Sequence, residues 1–444
     1  MIAGSGLWWF STVIGKKSSG NLSTINQVTS DLEGRLSEGS RVLVPSRDNE
    51  AKLFAAKAIA EGKTSEAINL LTSYLAKYQN DPEALIYLNN AKALAHNPVK
   101  IAVVVPIKSN LNVAQEMLRG YAQGQNEINN KGGLRGRYVS LLIVDDSNEP
   151  EIAKQVAQIL VKTPEIVAVI GHNASNATLS AAPIYQAGQL VLVNSTSLAN
   201  GIADIGNYIF RVVPSTQRAA QSLAQDVIKN DRKIAICYDA QAPDGVSFMQ
   251  EFVAALLKGG GQQVPTVCDL SNASLNPQQQ LQEAIANGAD SLLLLPHVDR
   301  LQAAYALAEL NQSKLQLYGN SPLGTIKTLE RGSVTQGLII PVPWSAKTKA
   351  NAPFADSARQ IWGGDVSWRT AGSYDAIYAI ANGLAISQSR EGLKQALGSA
   401  NFASVTRNGT VKFLPNGDRE GPATLVQVKP SDRHQTGYDF FPLN

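Results

Sequence analysis

The sequence predicts an α/β fold with two parallel sheets in tandem, preceded by a short helical segment. Apolar runs alternate with amphipathic segments over most of residues 99–320, a pattern typical of successive strand–helix–strand units. The alternation occurs as two separate series, which indicates two sheets. The 35 glycines suit the many turns between strands and helices.

Composition excludes several classes of protein. A chain of 444 residues suits two or three domains. Its net charge of +3 argues against nucleic-acid binding as the main role. Two cysteines exclude a disulfide scaffold and a cysteine-rich zinc module, and the 4 histidines are scattered. We therefore predict no metal and no cofactor.

The N-terminal part, residues 1–47, is predicted to be an apolar leader and a linker. Residues 2–15 are apolar and include Trp8, Trp9 and Phe10, but they are fewer than the ~20 that span a bilayer. The run also lacks the basic start of a signal peptide. Two interpretations stay open: the end of a truncated membrane anchor, or a disordered leader. Residues 20–39 are polar and are predicted to be a linker.

Residues 48–98 have the periodicity of helices. Asp81 followed by Pro82 predicts the start of a helix, because Asp caps a helix and Pro suits its first turn. The segment resembles a tetratricopeptide repeat, with Gly62, Ala67 and Pro82 at the expected places. It is interpreted as a spacer, with a surface for docking a partner as the alternative.

The first series predicts four strands and the helices between them. The strands are residues 101–107, 138–146, 166–171 and 190–194, and the helices are residues 113–129, 151–163 and 179–187. The second series predicts strands at 233–239, 265–270, 291–296 and 315–320, with helices at 217–229, 247–257, 277–286 and 300–310. Later elements are an extended stretch at 337–344, a helix at 373–387 and a strand–turn–strand at 410–418.

Polar side chains follow the predicted strands, at the sheet edge where ligands bind in such folds. Hydroxyls and amides dominate this set, which consists of Asn173, Ser175, Asn194, Thr196, Ser197, Tyr238, Asp239, Asp299 and Asn320. Such groups hydrogen-bond a ligand but do not attack it. We found no G-x-G-x-x-G, H-E-x-x-H or G-x-S-x-G motif, so we predict that the protein is not an enzyme. His172 is interpreted as a turn residue, and Asp145-Asp146 as structural caps.

Several of these motifs together resemble a known family. They are residues 129–136, Asp145-Asp146, Gly171-His172 with Ser175, Phe210-Arg211, and residues 373–376. In this order and spacing they are similar to the type I periplasmic binding proteins, and more narrowly to the Leu/Ile/Val-binding receptors of ABC transporters. The resemblance covers residues 99–430, and residues 368–371 are similar to cyanobacterial members.

The resemblance implies two lobes that close on a ligand through three hinges. Lobe 1 would comprise residues 99–214 and 342–405, lobe 2 would comprise 215–341 and 406–430, and 431–444 would be a C-terminal tail. The hinges would lie near Val213-Pro214, Ile340-Pro341 and Thr406.

The resemblance also implies roles for individual residues. In this branch a Ser and a Thr hold the ligand carboxylate, which corresponds to Ser175 and to Thr196 or Ser197. The acidic partner of the ligand ammonium would lie near Asn320, which is neutral, so Asp299 and Asp239 are the alternatives. Trp368 is interpreted either as a cap on the ligand side chain or as a core residue. Arg369 is interpreted either as a cation that favours an acidic ligand or as a structural arginine.

Cys237 and Cys268 lie on successive predicted strands, which often neighbour each other. A disulfide and a pair of buried thiols are both compatible with this placement.

The predicted function is an extracytoplasmic solute-binding receptor that captures an amino acid or a similar small ligand between its lobes and delivers it to an ABC permease. We expect a monomer outside the cytoplasmic membrane, with the N-terminus as a candidate anchor. The alternatives are a sensing domain that signals with the same fold, and a cytosolic α/β enzyme.

Overall fold

A computed structural model describes residues 32–45, 49–266, 268–297, 300–432 and 434–443. The apolar leader at residues 2–15 and Asp299 lie outside these described residues. Within them, no helix combines the length and the apolar character needed to cross a membrane.

The described residues form two large sheets and one hairpin. The strands are β1 (Leu36–Ser37), β2 (Val99–Val105), β3 (Val139–Asp145), β4 (Ile166–Ile170), β5 (Val191–Asn194), β6 (Ile209–Arg211), β7 (Lys233–Tyr238), β8 (Gln262–Gln263), β9 (Cys268–Asp269), β10 (Ser291–Leu295), β11 (Gln316–Gly319), β12 (Ile339–Val342), β13 (Ser404–Thr406), β14 (Gly409–Val411), β15 (Thr424–Pro430) and β16 (Tyr438–Pro442).

Fourteen α-helices of the described residues cover these sheets. They are α1 (Asn49–Ala60), α2 (Thr64–Lys77), α3 (Pro82–Ala93), α4 (Leu111–Asn130), α5 (Pro150–Val161), α6 (Ser175–Ala187), α7 (Thr216–Lys229), α8 (Pro243–Lys258), α9 (Pro277–Ala286), α10 (Leu301–Asn311), α11 (Ile326–Leu329), α12 (Ala352–Trp362), α13 (Trp368–Ile386) and α14 (Arg390–Leu397).

The first sheet has the order β1-β3-β2-β4-β5-β6. Its central strand β2 is buried on both faces, because Ile101 and Val103 enter one core while Ala102 and Val104 enter the other. This explains why the strand is a continuous apolar run. The edge strand β1 pairs antiparallel with β3, with Leu36 opposite Val144. The linker predicted at residues 20–39 is therefore wrong for Leu36 and Ser37, which belong to the sheet.

The second sheet has the order β16-β15-β12-β11-β10-β7-β8, with β9 beside β7. Strands β7, β10, β11 and β12 are parallel, and β15 and β16 complete the sheet antiparallel. The predicted C-terminal tail at residues 431–444 is thus incorrect, since it contains a strand. Tyr438 and Phe440 are two residues apart and therefore lie on the same face of the strand. Both side chains pack against the core of this sheet, which explains why the segment forms a strand.

The helical segment α1–α3 packs on the first lobe and does not stand apart from it, as a spacer would. Asn90 of α3 accepts a hydrogen bond from the N–H of Leu141 at 2.9 Å and donates one to its carbonyl at 2.8 Å. Its Oδ1 also accepts from Gln125 of α4 at 2.7 Å. These buried contacts fix α3 against both β3 and α4.

Three segments connect the two sheets, and two of them differ from the prediction. Residues 212–215 cross where expected. The second crossing follows β12, at residues 343–345, because Ile340 and Pro341 of the predicted hinge are paired within that strand. The hinge predicted near Thr406 also lies later, at residues 420–423. Phe413 explains the difference, because its ring packs 5.1 Å from that of Phe210 and holds the segment on the first lobe. Arg211 N–H also donates to the carbonyl of Gly417 at 2.9 Å. The chain reaches the second lobe at Ala423, whose N–H donates to Ser222 Oγ at 3.2 Å.

Candidate ligand-binding cleft

The polar residues selected from the sequence lie at the carboxyl ends of parallel strands in both sheets. In the first sheet they follow the neighbouring strands β4 and β5. In the second, those that the structure describes lie at the ends of β7 and β11, the two strands on either side of β10. Each sheet therefore contributes one polar edge, as expected for a ligand site in this class of fold.

Asn194 joins the two loops at the edge of the first sheet. Its amide nitrogen donates to the carbonyls of Gly171 and His172 at 3.0 and 2.8 Å. Its amide oxygen accepts from the N–H groups of Thr196 and Ser197 at 3.1 and 2.6 Å. The side chain is buried and its bonding groups are used, so it shapes the loops and is not placed to meet a ligand, contrary to its predicted role.

Ser175 and Ser197 meet at this edge. Ser197 Oγ donates to Ser175 Oγ at 2.8 Å, which leaves the hydroxyl proton of Ser175 for another acceptor. Ser175 is the first residue of α6, where backbone N–H groups have no carbonyl within the helix to bond. Hydroxyl donors and a helix N-terminus together stabilise an anion such as a carboxylate.

Thr196 and Asn173 lie beside this pair. Thr196 Oγ1 donates to the carbonyl of Asn173 at 3.3 Å. The Asn173 amide donates to Asn148 Oδ1 at 3.2 Å, and the same oxygen accepts the N–H of Ala174 at 3.2 Å. Asn148 was not selected from the sequence, yet it supports the loop that leads into α6.

A buried polar triad lies beneath the same loop, and sequence reasoning missed it. His172 Nδ1 lies 2.6 Å from Asp146 Oδ2, and His172 Nε2 lies 3.1 Å from the hydroxyl of Tyr185. The side chains of His172 and Asp146 are both 0% exposed. His172 is therefore more than the turn residue that the sequence suggested. Asp146 does cap its own loop through the N–H of Asn148, at 2.9 Å.

Tyr121 is a second residue that sequence reasoning missed. Its hydroxyl lies 2.9 Å from Ser195 Oγ, in the loop after β5. Burial raises the pKa of Tyr121 to about 12, so the phenol stays neutral. It was missed because it lies on a helix and contacts a residue 74 positions away.

Trp368 and Arg369 begin α13, which runs along α4 and touches the loop after β5. A Cβ added at Gly372 would lie 2.4 Å from the carbonyl oxygen of Ser195, so helix and loop are in direct contact. The guanidinium of Arg369 lies 4.4 Å from the ring centre of Trp368. Burial lowers the pKa of Arg369, opposed by the negative charge of Glu116.

Asp239, at the edge of the second sheet, is already paired. Its buried carboxylate accepts from Arg300 Nη2 at 2.9 Å, with a second contact to Arg300 Nε, and from the N–H of Gln241 at 3.1 Å. Burial opposes its ionisation, but the hydrogen bond and charge of Arg300 hold the pKa of Asp239 below its ordinary value. Asp239 is thus a weak choice as the partner of a ligand ammonium.

Asn320 and Tyr238 complete the edge of the second sheet. The Asn320 amide nitrogen donates to the carbonyl of Pro296 at 3.3 Å. Its amide oxygen is buried and has no hydrogen-bond partner among the described residues. Tyr238 is half-buried at the end of β7.

Cys237, next to Tyr238, is joined to Cys268 by a disulfide with an S–S distance of 2.07 Å. The two residues are direct partners in the pairing of β7 with β9. Across the described part of the chain, no group of three or more His, Cys, Asp or Glu side chains could hold a metal ion.

The sequence profile of the family described as periplasmic binding protein matches residues 98–435. An amino acid binding protein of Pseudomonas aeruginosa is 28% identical over 135 residues, which cover 30% of this chain and 36% of that protein. A Leu/Ile/Val-binding protein of Rhizobium johnstonii is 28% identical over 171 residues, covering 38% of this chain and 46% of that protein. The chain thus spans less than half the length of these curated relatives.

Solved structures resemble the two-sheet body. An ABC transporter substrate-binding protein from Desulfitobacterium hafniense, in complex with Leu, superposes with a TM-score of 0.65 at 21% identity. The match covers 78% of this chain and 100% of that one. A leucine-binding protein from Thermotoga maritima gives a TM-score of 0.61 at 19% identity, covering 77% and 97% of the two chains. The predicted two-lobed α/β fold is confirmed.

Proposed function

The chain belongs to the periplasmic binding protein family, and we propose that it is the solute-binding receptor of an ABC transporter, capturing an amino acid between its two lobes. Names of the relatives support an amino-acid ligand, since they include amino acid binding and Leu/Ile/Val-binding proteins. The family is one of solute-binding receptors, so binding and not catalysis is the expected activity.

One observation supports this function above the others. Ser175, whose hydroxyl accepts from Ser197, has its own proton available at the N-terminus of α6 on one lobe, and Asn320 has a buried acceptor at the strand ends of the other. A carboxylate matches the first group, because neutral donors and helix ends stabilise an anion. A donor group such as an ammonium matches the second.

Closure of the lobes would bring the two groups together. We place lobe 1 at residues 99–214 and 343–419, together with α1–α3, and lobe 2 at 215–342 and 420–443. The three hinges would lie near Val213-Pro214, Val342–Trp344 and Gly421-Pro422. Thr196, Ser197, Ser175, Trp368 and Arg369 would then form the wall of lobe 1, and Tyr238 and Asn320 that of lobe 2.

The partner in this proposal is an ABC permease, and the working location is outside the cytoplasmic membrane. The apolar, tryptophan-containing residues 2–15 are the proposed membrane anchor. Co-purification with a permease after mild detergent extraction would support this assignment, whereas capture of a signalling kinase instead would favour the sensing alternative.

A thermal-shift screen against the twenty amino acids tests the proposed function. A ligand at 100 times its dissociation constant adds about 2.7 kcal/mol to the free energy of unfolding, which raises the melting temperature. We expect a clear rise in melting temperature with one amino acid, or with several amino acids of one chemical class. Failure of all twenty to raise it would refute an amino-acid ligand while leaving the fold unaffected.

A further inference from the structure

Arg369 is positioned to meet a ligand at the edge of lobe 1. It lies in the first turn of α13, three residues before Gly372, which contacts the carbonyl of Ser195. Ser195 belongs to the same loop as Ser197, whose hydroxyl bonds to Ser175. The N-terminal part of α13, which contains Arg369, thus lies beside the loop that contributes Ser197 to the proposed carboxylate site.

The guanidinium of Arg369 has an unused donor. Its Nε is buried and has no hydrogen-bond partner among the described residues. The Trp368 ring covers the guanidinium at 4.4 Å and fixes its plane, since arginine stacks well on aromatic faces. A buried donor without an acceptor destabilises the unliganded protein. A ligand that supplies the acceptor removes this cost, which makes its binding free energy more favourable.

The negative charge of Glu116 acts on Arg369, but both carboxylate oxygens of Glu116 accept hydrogen bonds from other groups. Its Oε1 accepts from Arg119 at 2.7 Å. Its Oε2 accepts from the N–H of Ser367 at 3.1 Å and from Thr370 Oγ1 at 2.9 Å. Glu116 therefore lowers the local positive charge without bonding the guanidinium.

Lobe 2 provides an acceptor of a different kind. Asn320 Oδ1 is a neutral, buried oxygen without a partner among the described residues, while the Asp239 carboxylate is bound to Arg300. A neutral acceptor can bond an ammonium without adding a negative charge to the cleft. The guanidinium of Arg369 is consequently not neutralised by these two residues.

We propose that the ligand is an acidic amino acid, of the aspartate or glutamate class, whose side-chain carboxylate pairs with Arg369. The assignment rests on the proposed function, because it assumes an amino acid held between the lobes. The main-chain carboxylate accepts from the Ser175 hydroxyl, which Ser197 positions, the ammonium binds Asn320 Oδ1, and the second carboxylate accepts from the guanidinium. A branched-chain amino acid would leave Arg369 Nε buried against an apolar side chain.

Isothermal titration calorimetry of the whole chain with L-glutamate, L-aspartate and L-leucine tests this proposal. We expect an acidic amino acid to bind more tightly than leucine. Arg369→Gln should weaken its binding on the order of 10- to 100-fold, because a charge-assisted hydrogen bond is lost. Arg369→Lys should retain part of the affinity, since the charge remains without the planar donors.

Arg359→Gln is the matched control, because it removes one cation from an exposed ion pair on the surface of lobe 1. It should leave glutamate affinity unchanged. Tighter binding of leucine than of either acid would overturn the ligand assignment but preserve the receptor function. Unchanged glutamate affinity in a folded Arg369→Gln variant would have the same consequence. No binding of any amino acid would refute both.

Discussion

Two hydroxyls define the proposed anion site at the scale of single residues. Ser197 donates its proton to Ser175, so the direction of the hydrogen bond leaves the Ser175 proton for the ligand. Both loops are held by one buried amide, Asn194, which makes the geometry independent of the ligand. A preformed site of this kind loses little conformational entropy on binding.

Ser175→Ala should weaken ligand binding, because the ligand carboxylate loses a donor in a half-buried setting. The expected loss is about 1–3 kcal/mol of binding free energy, measured by calorimetry with the ligand found in the screen. Ser180→Ala, one turn further along α6, is the control and should bind normally. Wild-type affinity of the Ser175 variant would remove this hydroxyl from the site.

Lys52 illustrates a different role for charge, in stability and not in binding. Its ammonium lies 2.8 Å from Asp81 Oδ2 and 2.7 Å from Glu83 Oε2, and the lysine side chain is 0% exposed. Burial raises the pKa of Glu83, and the positive charge of Lys52 opposes that rise. Removal of the Lys52 ammonium would leave the buried carboxyl groups of Asp81 and Glu83 without a positive charge beside them.

Lys52→Met should therefore lower the free energy of unfolding by about 3–5 kcal/mol in urea denaturation. Lys57→Met on the same helix is the control, since the Lys57 side chain is 71% exposed and its ion pair with Glu61 is long, at 3.9 Å. Its effect should stay below about 1 kcal/mol. Equal stability of the two variants would contradict the role given to the buried cluster.

Helix α13 connects the core to the cleft at the scale of elements. It packs along α4 through Gly120 and Gly124, whose missing side chains let the two helices approach closely. Its first turn lies against the loop after β5 at Gly372. The position of the N-terminal end of α13, and with it the proposed role of Arg369, therefore depends on this close helix–loop contact.

Gly372→Ala should push the helix from the loop, because the new Cβ would lie 2.4 Å from the backbone oxygen of Ser195. We expect about 1–3 kcal/mol of destabilisation in urea denaturation, together with weaker ligand binding. Gly364→Ala is the control, since no atom lies within 4 Å of its added Cβ. A Gly372→Ala variant with unchanged stability and affinity would show that this contact is not needed.

The disulfide fixes β9 to β7 beside Tyr238. Its cysteines are 31 residues apart in the chain. Closing a loop of that length is expected to stabilise the folded state by about 3–4 kcal/mol relative to the unbridged chain. Mass spectrometry of unreduced peptides should recover the linked pair, and the Cys237→Ser, Cys268→Ser double variant should lose that stability. Free thiols in the native protein would contradict the bridge.

The main strands could be predicted because each is a continuous apolar run, and the polar edge could be predicted because ligands bind at strand ends. The two-residue strands β1 and β8 are too short to show a period, so they could not be predicted from the sequence. The partners of Asn194, Asp239 and His172 depend on how separate loops approach each other. Spacing within one loop contains no information on that approach.

The whole molecule is two lobes joined by three crossings, with the helical segment α1–α3 packed on the first. The first core extends from this segment through β2 to α13, so lobe 1 should move as one unit. Bending between the lobes is then expected at the three crossings, where Val212 is buried in the core of the first lobe and Ala423 in that of the second. Ligand capture by a change in the angle between rigid lobes follows from this arrangement.

Small-angle X-ray scattering in the presence and absence of an equimolar mixture of the twenty amino acids tests this central claim most directly. The account predicts a smaller radius of gyration with the mixture, because the ligand draws the two lobes together. It also predicts that Ser175→Ala shifts this decrease to higher amino-acid concentration. A radius of gyration that stays the same at all concentrations would contradict capture by lobe closure.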